Sequence, residues 1–317
     1  MNDARVLVTG GAGFIGSHVC EALLAAGHRV RVLDDFSSGS RANLPAPNAA
    51  LEVFEGTVCD AVDVASAAAG CGVIVHLAAL TSVAASFQDR AHYFSVNLDG
   101  TKRVAEAAAR GAHHMLLASS AAVYGDRPGP HSEPASFAPT SPYAETKCAG
   151  EGVLRDLCAT SGCDALALRL FNVYGPRQVA EGSYSAAIPR FVERLRRKES
   201  VQIFGDGTQT RDFVHVRDVA AAVVSAVASP LQFAGSAINI GTGVSTSIAT
   251  LARTAARLAN CTTCVEFGPP RVGDVHESVA VISRAKELLA FAPRTTLESG
   301  LRELFMQSES PKVVSLQ

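Results

Sequence analysis

Neither sign of charge prevails in this sequence: 28 lysines and arginines face 30 aspartates and glutamates, a net charge of −2 over 317 residues. Nucleic acid is therefore not an expected partner, because such proteins carry a strongly basic face. The one dense basic cluster, Arg194, Arg196, Arg197 and Lys198, reads more simply as a solvated helix face. Long apolar runs are missing as well. The longest, Val219 to Ala228, is about half of the roughly 20 residues that a membrane-spanning helix needs. Asp3 leads directly into Val6-Leu7-Val8-Thr9, too short an apolar run for a signal peptide. No membrane partner is expected, and the cytoplasm is the expected location. Metal-ligand groupings are scarce too. The 8 cysteines (Cys20, Cys59, Cys71, Cys148, Cys158, Cys163, Cys261, Cys264) are scattered, which in a cytosolic enzyme suits buried free thiols. Cys261-Thr262-Thr263-Cys264 has metal-like spacing, but no second Cys or His pair accompanies it, so no metal is expected. There is no internal repeat and no low-complexity linker, and disorder is expected only after Gln307.

What remains is an ordinary globular chain, 48% hydrophobic and 18% charged, long enough for one or two domains with a large core. Arg5 to Thr9 reads as a buried strand. Gly10-Gly11-Ala12-Gly13-Phe14-Ile15-Gly16 follows, then a helix-like run to Ala26. Glycines at this spacing between strand and helix allow a tight turn and let backbone amides approach a pyrophosphate at the helix N-terminus. The next strand, Arg29 to Leu33, ends in Asp34, about 20 residues on, where an acid binds adenosine ribose hydroxyls. Asp34 also repels a 2′-phosphate, and no Arg or Lys follows until Arg41, so NAD is expected over NADP. Asp35 is either a loop residue or a second ribose contact.

The alternation continues: strand Leu51 to Phe54, helix Ala61 to Ala69, and buried strand Val73 to Leu77 running into Ala78-Ala79. Those small residues permit close cofactor approach, and His76 reads as a packed strand histidine. Asn97 to Ala109 is helical, with Asn97 placed to bridge backbone and cofactor site. Met115 to Ser119 and Ala165 to Leu170 are further strands. Strands alternating with helices argue an α/β fold with a doubly wound parallel sheet. Ligands bind such sheets at the carboxyl ends of the strands, where Gly10, Asp34, Ala78 and Ser120 all fall.

The chemistry concentrates between Ser119 and Lys147. Ser141-Pro142 is a helix-start signal, a capping side chain followed by a proline suited to the first turn. In a helix beginning there, Tyr143 and Lys147 sit four apart on one face. An ammonium beside a phenol favours the ionised phenol, so the pair is expected to lower the Tyr143 pKa from about 10 toward working pH, as a general base requires. Ser120, at the end of the preceding strand, is placed to hydrogen-bond the same substrate hydroxyl. A Tyr–Lys pair at helical spacing is often only packing plus a solvated charge; its company with the glycine turn and a strand-end serine is what makes it specific. After Arg169 the texture becomes loop-rich. Arg177, Arg211 and Arg271 each stand beside glycine or proline turns, where the planar guanidinium commonly grips phosphate; any one of them serves equally as an ordinary surface charge. Helices are expected at Ala187 to Arg197, Val216 to Ala228 and Ile248 to Leu258.

These residues resemble the extended short-chain dehydrogenase/reductase family, in its nucleotide-sugar epimerase branch. The resemblance covers nearly the whole chain: the glycine turn, His76-Leu77-Ala78-Ala79, Asn97, Ser119-Ser120 through Tyr124-Gly125, Tyr143 with Lys147, Arg169 to Arg177, Gly205 to His215, Asn239-Ile240-Gly241-Thr242-Gly243, and Arg271 with Asp274. It implies a Rossmann-like fold with residues 1–170 and about 207–243 holding NAD. A smaller, loop-rich C-terminal substrate domain of residues 171–206 and 244–307 would hold a UDP-sugar, with 308–317 a flexible tail. It implies Ser120, Tyr143 and Lys147 as catalytic. It further implies cofactor contacts from Gly10, Gly13, Phe14, Ile15, Gly16, Asp34, Asp35, Ser38, Val58, Leu77, Ala78, Ala79, Asn97 and Ser119, together with Tyr143 and Lys147. Asn172, Arg211 and Arg271 would contact the substrate diphosphate, Phe204 and the backbone near Ile188 the uracil, and Asp274 its ribose. Ser278 takes the position where a bulky aromatic would crowd an N-acetyl group. A homodimer through helices near Val96–Ala109 and Tyr143–Ser161 is also implied.

Departures narrow the expected reaction. Dehydratase relatives place Asp-Glu directly after the serine or threonine, and decarboxylase relatives carry a Glu in that stretch; here Ala121-Ala122 occupies those places. Gly56-Thr57 stands where the family usually has an Asp contacting adenine. Uronate epimerases have Thr at the Asn172 place and Arg at the Val179 place, so a uronate reading rests on Arg177 or Arg190 meeting a carboxylate. The expected activity is C4 epimerisation of UDP-Glc, UDP-GlcNAc or UDP-GlcA through a 4-keto intermediate. Its alternatives are a nucleotide-sugar dehydratase or reductase and a non-enzymatic NAD-binding regulator.

Overall fold

The structure is a computed structural model that describes residues 5–179, 186–261, 265–270 and 275–306. Its first half alternates strand and helix. Strand β1 (Arg5–Thr9) leads into helix α1 (Phe14–Ala25), β2 (Val30–Asp34) and β3 (Leu51–Glu55). Helix α2 (Ala61–Ala68) and strand β4 (Cys71–His76) follow, then the short helices α3 (Val83–Gln88) and α4 (Arg90–Tyr93). Next come α5 (Gly100–Ala108), β5 (His114–Ser120), α6 (Pro142–Ser161) and β6 (Asp164–Leu170).

The second half is more broken. It runs β7 (Asn172–Tyr174), α7 (Ala187–Arg196), β8 (Val201–Phe204), β9 (Thr210–Arg211) and β10 (Phe213–His215). Then come α8 (Val216–Ala228), β11 (Ser236–Ile240), β12 (Thr246–Ser247) and α9 (Ile248–Leu258). Strands β13 (Val265–Gly268) and β14 (Glu277–Ser278) precede α10 (Ser283–Leu289) and α11 (Leu297–Met306).

Seven strands form one parallel sheet in the order β11-β6-β5-β4-β1-β2-β3. Its central strands are nearly unbroken apolar runs because both faces are covered. Period-two alternation sorts their side chains: Val6, Val8, Val32, Val73 and Val75 enter one core cluster, while Leu7, Leu33 and Ile74 enter the other. Helices α1, α8 and α10 pack on the first face; α2, α5 and α6 pack on the second. A third cluster gathers α7, β8, α9 and α11 into a smaller layer. The doubly wound parallel sheet is therefore observed as expected.

Local signals account for helix α6. Ser141 accepts a hydrogen bond from Ala144 N at 3.1 Å, Pro142 opens α6, and Gly162 closes it with φ 72°. Elsewhere two expectations are corrected. The helix expected from Asn97 becomes α-helical only at Gly100; Phe94–Asp99 winds more widely, as a π-helix. That turn carries Asn97 inward, where its side chain bonds Leu80 and Thr146. Cys261, expected as a free thiol, is disulfide-bonded, to a partner outside the described residues. It lies just past α9, half-buried at the edge of the third core cluster, less enclosed than Cys20, Cys71 and Cys163. Cys20, Cys71 and Cys163 are buried and free. Among the described residues no helix is long and apolar enough to cross a membrane.

Candidate active and cofactor site

The carboxyl ends of β2, β1, β4, β5 and β6 form one edge of the sheet, and the candidate residues line it. Gly10 follows β1 with φ 69°, and a Cβ there would lie 2.7 Å from Ala78 N. A Cβ on Gly16 would meet Gly10 O at 2.0 Å. These positions admit no side chain, so the turn presents bare backbone to the cleft. Gly13 caps α1 without a side-chain hydrogen bond, and no acid stands in the first turn. The first amides of α1, at Phe14 and Ile15, thus face outward with the positive end of the helix dipole. That cradle fits a dinucleotide pyrophosphate.

Asp34 is buried at the end of β2, where its carboxylate accepts from Ala12 N and Phe36 N, each at 2.8 Å. It braces the glycine turn, and burial raises its pKa against the lowering effect of those two amides. Its neighbour Asp35 is exposed and caps the backbone of Ser37 at 3.0 Å; Ser38 is exposed too. Val58 belongs to the core beneath the sheet edge. Leu77, Ala78 and Ala79 are half-buried beyond β4. Thr57, at the place of the family's adenine-contacting acid, donates its amide to Asp63 at 2.9 Å.

Ser120 ends β5, and its Oγ accepts from Ala122 N at 3.1 Å. Tyr143, 8% exposed, lies on the first turn of α6 within hydrogen-bonding reach of Ser120. Lys147 Nζ sits 5.7 Å from the Tyr143 ring centre and donates to Ala118 O at 2.9 Å. The expected lowering of the Tyr143 pKa is corrected. Burial pushes the phenol up, the Ser120 hydrogen bond pulls it back only in part, and Tyr93 adds a further upward push. The same desolvation lowers Lys147 to about 8. Removal from water thus governs both groups, and it disfavours the charged form of each.

One group of residues escaped the sequence reading. Glu151, one turn beyond Lys147, is 1% exposed. It accepts from Ser119 Oγ at 2.6 Å and takes Arg169 in a fork at 2.9 and 2.8 Å. Arg169 also donates to Tyr124 Oη at 2.8 Å, and that phenol donates to Asn239 at 2.7 Å. The residues on either side of the Ser120–Val123 turn are thus tied to α6, β6 and β11 through one buried network. Its available signals were a Glu continuing the Tyr143–Lys147 spacing and a single Arg in the apolar strand β6.

Three of the substrate candidates meet around a residue given no role from the sequence, the fully buried Asp212. Its carboxylate accepts from Thr242 N and Oγ at 2.7 and 2.6 Å, from Gly243 N at 2.8 Å and from Ala280 N at 3.2 Å. Its backbone bonds Asn172 N and Ser278 O at 3.0 and 2.8 Å, and Arg211 pairs with Ser278 across β9 and β14. Asn172, Arg211 and Ser278 are therefore brought together. Ile188 is buried in the third core cluster. Phe204, half-buried at the end of β8, has its carbonyl held by Gln209 Nε2 at 2.8 Å. Arg271 and Asp274 lie outside the described residues. Arg177 turns the other way: with φ 67° it forms an ion pair with Glu21 on α1, next to His18, which bonds Pro176 O at 3.0 Å.

The sequence is similar to known enzymes over almost its full length. UDP-glucose 4-epimerase of Mycolicibacterium smegmatis is 40% identical over 94% of this chain and 96% of its own. Among solved structures, UDP-N-acetylglucosamine 4-epimerase from Methanobrevibacter ruminantium, in complex with UDP-N-acetylmuramic acid, superposes with a TM-score of 0.90 at 35% identity, covering 96% of this chain and 98% of that one. UDP-glucuronic acid 4-epimerase from Bacillus cereus, in complex with UDP-glucuronic acid and NAD, gives a TM-score of 0.88 at 30% identity, over 95% and 98% of the two chains. Residues 6–241, which span the glycine turn, Ser120, Tyr143 and Lys147, match a family model, and the chain belongs to the NAD dependent epimerase/dehydratase family.

Proposed function

We propose that this chain is an isomerase that inverts C4 of a UDP-sugar through a 4-keto intermediate, keeping NAD bound throughout. The observation that carries the reading is the pairing of Ser120 with Tyr143 at the sheet edge, one helical turn from Lys147, with Ala121-Ala122 where an acid would expel water. When bound, NAD supplies the hydride acceptor and donor and, while oxidised, a positive charge.

Tyr143 takes the proton of the sugar 4-hydroxyl and later returns it, while Ser120 hydrogen-bonds the same oxygen. Burial of the phenol means that the chain's own residues do not ionise it. Lys147 favours the phenolate, and the cofactor's charge adds to it. With two alanines beside Ser120, no side chain there protonates a leaving group, so the ketone is reduced on its other face. Asn172, Arg211 and Arg271 would grip the diphosphate, Phe204 and the backbone at Ile188 the uracil, and Asp274 its ribose. Gly10, Gly13, Phe14, Ile15 and Gly16 would hold the pyrophosphate. Asp34, with Asp35 and Ser38, would hold the adenosine ribose, and Val58 would lie under the adenine. Leu77 to Ala79, Asn97 and Ser119 would line the rest of the cofactor cleft. Ser278 leaves room for an acetamido group. Because Arg177 is engaged by Glu21, a C6 carboxylate has lost one of its two candidate partners, which weighs against a uronate and toward UDP-glucose or UDP-GlcNAc. The names of the similar enzymes support a UDP-sugar as substrate. The half-exposed faces of α5 and α6 would form a homodimer, which light scattering tests.

The test is incubation of the purified protein with UDP-Glc, UDP-GlcNAc and UDP-GlcA separately, without added NAD, following the anomeric proton signals. A C4 epimer from at least one is expected. Absence of turnover with NAD demonstrably bound overturns the reading, and a persistent keto product replaces it with a dehydratase.

A further inference from the structure

His76 stands at the end of β4, 2% exposed, and touches a hydroxyl on each side. Its Nδ1 lies 2.7 Å from Thr9 Oγ and its Nε2 lies 3.0 Å from Thr101 Oγ. The direction of both bonds follows from the Thr101 side. Thr101 Oγ lies 2.5 Å from Asn97 O, which only accepts, so its proton is spent there and it must accept from His76 Nε2–H. With that proton on Nε2 of a neutral ring, Nδ1 accepts from the Thr9 hydroxyl, which itself accepts from Ala78 N at 3.3 Å. The Thr101 end thus sets the neutral tautomer, and the Thr9 end is compatible with it. Burial, with a smaller push from Lys147, agrees by holding the imidazole pKa down to about 3.

The two arms lead to opposite parts of the cofactor cleft. Thr9 immediately precedes Gly10, whose missing Cβ is what lets the turn lie against Ala78. Asn97 holds Leu80 through both amide atoms and reaches Thr146, the residue before Lys147. We infer that His76 is a positioning residue which sets the spacing between the glycine turn and the Ala78 loop through Thr9, and thereby the affinity for the dinucleotide. Imidazole suits the task because it offers an acceptor and a donor on opposite edges of one rigid ring. The inference rests on the NAD reading given above.

The experiment measures NAD binding to the full-length protein by calorimetry after removal of endogenous cofactor, with melting temperature as a separate readout. Thr9→Val keeps the shape and removes the hydroxyl; it is expected to weaken NAD binding roughly tenfold, about 1.4 kcal/mol, and Thr9→Ser to restore it. His76→Asn places an amide oxygen near Nδ1 and is expected to stay within a fewfold of the unmodified protein. His76→Gln serves only the Thr101 side and is expected to weaken binding like Thr9→Val. If the His76 variants do not fold, the Thr9 pair decides. NAD binding unchanged in Thr9→Val, with only the melting temperature reduced, overturns the inference and leaves His76 an ordinary core residue. The reverse pattern, Asn weak and Gln strong, overturns it as well. If the unmodified protein binds no NAD, it is the cofactor reading that has failed, and the variants are not needed to show it.

Discussion

The two walls of the cleft are built differently. The cofactor wall is the edge of one seven-stranded sheet, and its functional positions lie within a few residues of strand ends that the core holds rigidly. The proposed substrate wall has no such sheet. Its strands are two to four residues long; those around β9 are tied by Asp212, whose carboxylate gathers Thr242, Gly243 and Ala280. A wall supported by a large core tolerates loss of a reacting group without collapse. A wall resting on a smaller core and tied by one buried carboxylate has less of that tolerance, and substitutions separate the two.

Tyr143→Phe is expected to have the largest effect on turnover, a loss of roughly 10³-fold from removal of the general base, with NAD content unchanged by release and enzymatic assay. Retained turnover would break the comparison at its centre. Glu151→Gln leaves Arg169 without its charged partner inside the protein, and is expected to cost about 3–5 kcal/mol in urea unfolding. Replacing both, Glu151→Gln with Arg169→Met, is expected to cost less than Glu151→Gln alone, because no uncompensated charge remains. Asp212→Asn is expected to lower stability by about 1–3 kcal/mol and to raise KM for the UDP-sugar while NAD affinity holds. A drop in NAD affinity of the same size would show that the walls are not separable.

The smallest effect concerns pH. Lys147 is held at about 8, below its ordinary 10.5, so the folded state binds its proton less tightly than the unfolded one. Between about pH 8 and 10.5 the unfolded chain holds the extra proton, and stability from this group rises with pH. The unfolding free energy of the unmodified protein minus that of Lys147→Met, taken with its sign, is therefore expected to rise over that window and to be flat below it. A difference that falls over the window contradicts a desolvated lysine.

Much of the cofactor wall was legible. The parallel sheet, the glycine turn, Asp34 at a strand end and the Ser141-Pro142 start of α6 are all local patterns, set by periodicity, capping and close backbone approach. The bounds of α8 and α9 matched for the same reason. Features set by contacts between distant segments were not legible. The wide turn through Phe94–Asp99 depends on Asn97 finding Leu80 and Thr146. Asp212 sits beside Arg211 in sequence, and Arg211 drew attention because charge beside a turn suggests phosphate; the value of Asp212 appears only when three distant amides meet it. Arg177 sits at a similar turn, yet its partner is Glu21 on the first helix.

By itself the sequence determined which residues can do chemistry and in which layer of the sheet they stand, since strand alternation and helix spacing are properties of neighbours along the chain. Only the tertiary structure decided how charged those residues are and what holds them. Solvation and buried hydrogen bonding depend on every atom nearby, whatever its place in the chain. That is why Tyr143 carries a raised pKa beside a lysine, and why His76, plain as a strand residue, joins two sides of the cleft.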